Sequence, residues 1–214
     1  MRWDEATLPA MTVLTPSKPG EKVETPEERL SKELRISVWN PSLTLLYFHT
    51  PHEELDKSKL KGSALATMLQ CKTFHDEKVV RWLALYHPVE VDMGKSDLTA
   101  AQKLGFTDGA MFAVVDQRMN VLATSKALPT SEQLAGFLEK TIKSESCKSF
   151  WTNVQTTIDE QKKALEKARA LVKQEKFKEA MEQYALVVNS NVRVADFYEE
   201  AVKESSKIAR KADK

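Results

Sequence analysis

The chain has 214 residues, 42% of them hydrophobic, and 32 basic side chains set against 31 acidic ones for a net charge of +1. That apolar content supports a packed core and excludes wholesale disorder, and the balanced charge gives no electrostatic reason to expect a nucleic-acid or membrane-surface partner. No apolar run approaches the ~20 residues that a membrane span needs.

Residues 1–24 are rich in Pro, Thr and Lys and read as an extended N-terminal arm. The opening stretch MRWDEATLPAMTVLTPSKPG lacks a basic segment followed by a long apolar run, so a cytoplasmic protein is expected. A trimmed chain would read the same way. Thr25-Pro26-Glu27-Glu28 is a helix start: Thr25 caps, Pro26 suits the first helical position, and Glu28 completes a capping box. Leu30 and Leu34 then recur on one face, and the helix ends before Asn40-Pro41.

Leu43 to Phe48 is a short apolar run that reads as a buried strand. Leu60, Ala64, Leu65, Met68 and Leu69 follow helical spacing, with Gly62 as a weak point. Thr73 to Asp76 breaks that pattern. Val79, Val80, Leu83 and Leu85 form a further helical segment, and Val89 to Asp92 alternates as a strand. Leu98, Ala101 and Leu104 make a brief helix ending at Gly105. Met111–Val115 and Val121–Thr124 form a hairpin around the turn at Asp116–Asn120, and Ser131 opens a helix carrying Leu134, Phe137, Leu138 and Ile142. Strands joined through helices tend to be parallel, and the hairpin is antiparallel. The expectation is an α/β domain over 25–143, with a mixed sheet and helices on both faces.

Composition changes after Lys143. Ser144–Ser149 reads as a polar bridge, and residues 150–214 contain no proline. Three amphipathic helices are expected there, over Thr157–Gln174, Phe177–Val188 and Val194–Ala209, forming an all-α module.

The first half resembles the thioredoxin superfamily over roughly Leu43 to Ile142. TFHDEKVVRWLALYHPVEVDM is similar to the stretch that follows the active-site helix in those proteins. LTAAQKLGFTDGAMFAVVDQRMNVL is similar to their short helix, following loop and hairpin. The resemblance implies a thioredoxin-like fold. The family's Cys-x-x-Cys lies just after the first core strand; aligning Phe48 with the end of that strand puts Glu53 and Asp56 at the two cysteine positions. The family's cis-proline position falls on Met111, within Gly109-Ala110-Met111. A cis bond before a residue other than proline costs about 3 kcal/mol, so a trans bond is expected. Disulfide exchange needs an attacking thiolate and a resolving thiol, which Glu53 and Asp56 cannot supply. The second half resembles a single tetratricopeptide-type helical hairpin, carried by Ala168, Leu171, Phe177, Ala180, Tyr184 and Val187, with the third helix as its cap.

The favoured function is therefore non-catalytic: binding or scaffolding of another protein or a peptide, with no cofactor. A partner surface is expected at Phe197 and Tyr198 on the concave side of the helical module. The first alternative is a thiol-dependent enzyme using Cys71. Cys71 and Cys147 are too far apart in sequence for a redox pair or zinc knuckle, and Cys71 lies late in its helix, where dipole support for a thiolate is lost. The second alternative is a metal site at His49, His52 and Glu53, whose ligand types suit zinc or copper. His49-x-x-His52 gives only two histidines, and His75 and His87 are remote in sequence. Glu53, Glu54 and Asp56 at a helix start complement the helix dipole more simply than they form an acid–base pair. Trp82, Tyr86, Phe177 and Tyr184 read as core. The alternating charges of KALEKARALVKQEKFKEAMEQ read as a solvated helical face.

Overall fold

The computed structural model describes residues 3–12, 23–35, 43–49, 72–107, 110–126 and 130–212. The chain divides into two compact units, Met1–Thr141 and Ile142–Lys214. The first is a mixed α/β unit; the described part of the second is helical.

Among the described residues of the first unit five strands form one sheet: β1 (Asp4–Ala6), β2 (Leu43–His49), β3 (Tyr86–Asp92), β4 (Ala110–Val115) and β5 (Val121–Lys126). Their order across the sheet is β1-β3-β2-β4-β5. β3 is parallel to both β1 and β2, β2 is antiparallel to β4, and β4 is antiparallel to β5. Every residue from Leu43 to Phe48 is buried, Thr44 included, as befits a central strand covered on both faces.

Side chains alternate across the sheet. Leu46 and Phe48 of β2, Val89 and Val91 of β3, and Ala113 and Val115 of β4 join one core cluster. Helix α1 (Pro26–Glu33) adds Leu30, with Leu34 at its C-cap, and α3 (Leu98–Lys103) adds Ala100 and Ala101, with Leu104 at its C-cap. On the opposite face, Tyr47 stacks on Phe112 at 5.0 Å, Trp3 meets Tyr47 edge-on, and Phe74 meets both Tyr47 and Phe112 edge-on. The Tyr86 hydroxyl donates to the Leu138 carbonyl of α4 (Ser131–Ile142) at 2.6 Å, tying that helix to this face. A further helix of this unit, α2 (Glu77–Leu83), buries Val79 and Leu83.

Local chemistry explains the ends. Thr25 and Glu28 form the expected capping box, and Thr130 and Gln133 form another at α4. Asp76 and Asp97 cap α2 and α3. In the hairpin turn, one Asp116 carboxylate oxygen accepts the Arg118 and Asn120 amides, each at 2.8 Å, while Met119 takes the left-handed conformation.

Three sequence readings change. Residues 1–24 are more than an arm: Asp4–Ala6 pair with Val89–Val91, and Ala6 and Leu8 enter the core. The bridge at Ser144–Ser149 is instead a single 3-10 turn, Glu145–Cys147, running directly into α5 (Lys148–Lys173). Thr152, Thr156 and Thr157 sit comfortably in that helix because their hydroxyls bond the carbonyls four residues earlier. The last helix, α7 (Tyr198–Ala212), starts four residues later than Val194, because the preceding loop is used for tertiary bonding: Gln161 donates to the Val192 carbonyl at 2.8 Å. The expected helix over Leu60–Leu69 lies outside the described residues, whereas α1 ends at Glu33, before Asn40-Pro41 as read.

In the second unit α5 and α6 (Phe177–Val188) form a hairpin on which α7 packs. Ala164, Leu165, Ala168, Ala180, Tyr184, Val187, Ala201 and Ile208 make its core. The α5–α6 turn closes with paired bonds, Lys176 N–H to Leu171 C=O and Glu175 N–H to Val172 C=O. This Schellman closure puts Glu175 at φ +60°, a conformation that favours glycine.

Three substitutions test these backbone assignments by urea unfolding. Gly105 ends α3 at φ +91°, and an added Cβ would lie 3.0 Å from Thr124 Cγ2 and from Val121 Cγ1. Gly105→Ala should therefore destabilise by at least ~1 kcal/mol. Gly136, within α4 and with nothing in the space a Cβ would take, should respond oppositely: Gly136→Ala should stabilise by about 0.5–1 kcal/mol. Glu175→Gly should stabilise the helical unit by about 0.5–1 kcal/mol through relief of the left-handed residue.

Candidate functional site

The parallel strands β1, β2 and β3 end on the same edge of the sheet, at Ala6, His49 and Asp92. In an open α/β sheet this carboxyl edge is where ligands ordinarily bind. His49 pairs in register with Asp92, and β4, running the other way, begins at this edge. Met111 is the second residue of β4. The register passes from Ala110 opposite Lys126 to Phe112 opposite Ser125, so Met111 is the extra residue of a β-bulge. Among the described residues no peptide bond is cis.

The fold thus brings the backbones of His49 and Met111 to one end of the sheet. His52, Glu53, Glu54, Asp56 and Cys71 lie outside the described residues. His75 is exposed just before α2, and His87 is on β3, its Nε2 3.7 Å from an Asp4 carboxylate oxygen. Among the described residues no group of three or more His, Cys, Asp or Glu side chains has the arrangement to hold a metal.

An open cleft of about 470 Å³ lies beside this edge, lined by Glu5, Ala6, Thr7, Glu33, Glu90, Asp92 and Lys95. Four carboxylates face one ammonium there. Glu33 accepts the Thr7 amide at 3.2 Å, and Asp92 accepts the Gly94 amide at 2.9 Å and pairs with Lys95 at 3.4 Å. These bonds shape the loops that follow β1 and β3. Among the described residues the lining is acidic and holds no thiol, hydroxyl–imidazole pair or other nucleophile with its base.

The helical unit has its own polar cluster. Arg169 of α5 binds Glu204 of α7 through two nitrogens, at 2.8 and 3.0 Å, and Glu200 at 3.2 Å. The Tyr184 hydroxyl of α6 donates to Glu204 at 3.0 Å. Hydrogen bonding to Arg169 holds the Glu204 carboxyl below its usual range against the opposing effect of burial. The bond to Glu204 likewise raises the Arg169 guanidinium. Burial, followed by the bond to the Glu204 carboxylate, pushes the Tyr184 phenol up to about 12. The sequence reading missed this cluster. Arg169 sits in a run of alternating charges, and its partners are 31 and 35 residues away.

Phe197 and Tyr198, expected to line an open concave surface, are partly buried against the hairpin core, and the Tyr198 hydroxyl bonds the Val188 carbonyl at 3.1 Å. Both rings thus pack on the hairpin core while keeping part of their surface exposed. Cys147 is buried at the start of α5, as expected for a small apolar side chain. Tyr86 and Tyr184 are buried as read, each using its hydroxyl.

Comparison with known proteins returns no match: no family model, no curated protein and no solved structure matches this chain.

The Arg169 cluster predicts a specific pH dependence. A carboxyl held below its unfolded-state value, about 4.3 for Glu, adds stability that is complete above that value and is lost as pH falls through the folded one. Arg169 and Glu204 are 41% and 34% exposed, so solvent screens the pair and its coupling should be about 1 kcal/mol. A double-mutant cycle of Arg169→Met and Glu204→Gln, read by urea unfolding at pH 7, should return that coupling. Between pH 5 and pH 3 the stability difference between wild type and Glu204→Gln should shrink; a constant difference would count against the assignment.

Proposed function

We propose that the first unit is a thioredoxin-like domain lacking dithiol chemistry, that the second is a tetratricopeptide-like hairpin with a closing helix, and that the chain works as a non-catalytic protein- or peptide-binding scaffold. One combination carries this reading. A central strand parallel to one neighbour and antiparallel to the other, followed by a terminal hairpin and covered by helices on both faces, has the connectivity expected from the resemblance. The sequence meanwhile contains only Cys71 and Cys147, and Glu53 and Asp56 stand at the aligned dithiol positions. Fully buried Ala168 and Ala180, with Tyr184 and Val187 beside them, support the hairpin reading.

The chemistry follows from those residue types. Carboxylates do not attack disulfide sulfur, and one thiol without a neighbour cannot resolve a mixed disulfide. What remains for such a domain is recognition. No helix among the described residues is long and apolar enough to cross a membrane.

Three assays and one selection test the proposal. In insulin-disulfide reduction and peroxide consumption with dithiothreitol, wild type and Cys71→Ser should both stay at background; turnover above background that Cys71→Ser abolishes would replace binding with a thiol enzyme. After dialysis against zinc or copper the chain should retain far less than one equivalent, whereas one equivalent lost in His49→Ala/His52→Ala would make it a metal-binding protein. A displayed peptide library selected on the full chain should converge on a common sequence; failure to enrich any sequence would defeat the peptide-binding reading.

A further inference from the structure

We draw no further inference here: the strongest candidate, the acidic cleft at the carboxyl edge of β1 and β3 lined by Glu5, Glu33, Glu90, Asp92 and Lys95, is a cluster of carboxylates, and nothing among the described residues shows what ligand it would take.

Discussion

Burial of β2 on both faces organises the first unit. A strand that is apolar on alternate positions can rest one face on water; Leu43 to Phe48 cannot, because Leu45 and Tyr47 point one way and Leu46 and Phe48 the other, and all four are at most 3% exposed. Two layers of cover are then obligatory. One comes from α1 and α3 through Leu30, Leu34, Ala100, Ala101 and Leu104. The other includes the aromatic group of Trp3, Phe74 and Phe112 around Tyr47. The same requirement gives β2 a hydrogen-bonded neighbour on each side, because its buried amides and carbonyls need partners. The carboxyl edge of the sheet, with His49 and the bulge at Met111, is a by-product of satisfying that one strand.

The helical unit rests on a different constraint, the close approach of α5 and α6. Ala168 and Ala180 are fully buried and contribute no bulk beyond a methyl group, which lets Tyr184 and Val187 fill the space between the helices. Tyr184 brings a hydroxyl with it, and a partly buried hydroxyl needs an acceptor. Glu204 supplies one and is itself held by Arg169. Packing and polar satisfaction therefore select the same docking of α7, which gives one arrangement of the three helices an advantage that apolar contact alone would leave weaker. Lys211 over the Phe177 ring at 5.4 Å adds a further link between the last helix and the start of α6.

What could be read from the sequence was whatever depends on near neighbours. The Thr25–Glu28 capping box, the Leu43–Phe48 strand, the hairpin around Asp116–Asn120 and the helix stop at Gly105 each involve residues a few positions apart, and each is present. Strand β1 was illegible for the opposite reason. Asp4-Glu5-Ala6 has no strand-forming composition, and its conformation comes from pairing with β3, more than eighty residues away in the chain, and from burial of Ala6 and Leu8. The start of α5 was hidden because Thr and Asn lower intrinsic helix propensity, while the structure satisfies the threonine hydroxyls within the helix. Of the candidate site, His49 and Met111 were singled out in the sequence, the first by residue type and the second by a resemblance, but the bulge at Met111 depends on the register of β5, and the acidic cleft gathers residues from three separated segments.

The charge at that edge works against a thiolate. A reactive cysteine needs its thiolate favoured, through a cation, a helix N-terminus or a resolving thiol nearby. Here the end of β2 lies in register with Asp92, which also lines a cleft where Glu5, Glu33 and Glu90 leave Lys95 outnumbered. Like charge disfavours ionisation, so a cysteine introduced beside this edge would have its thiol pKa pushed up and its thiolate fraction at neutral pH reduced. The hydrophobic layer beneath is closed by the side chains of Leu46, Phe48, Val91 and Ala113. A thiol placed at this edge would therefore gain reactivity only if the surrounding negative charge were relieved.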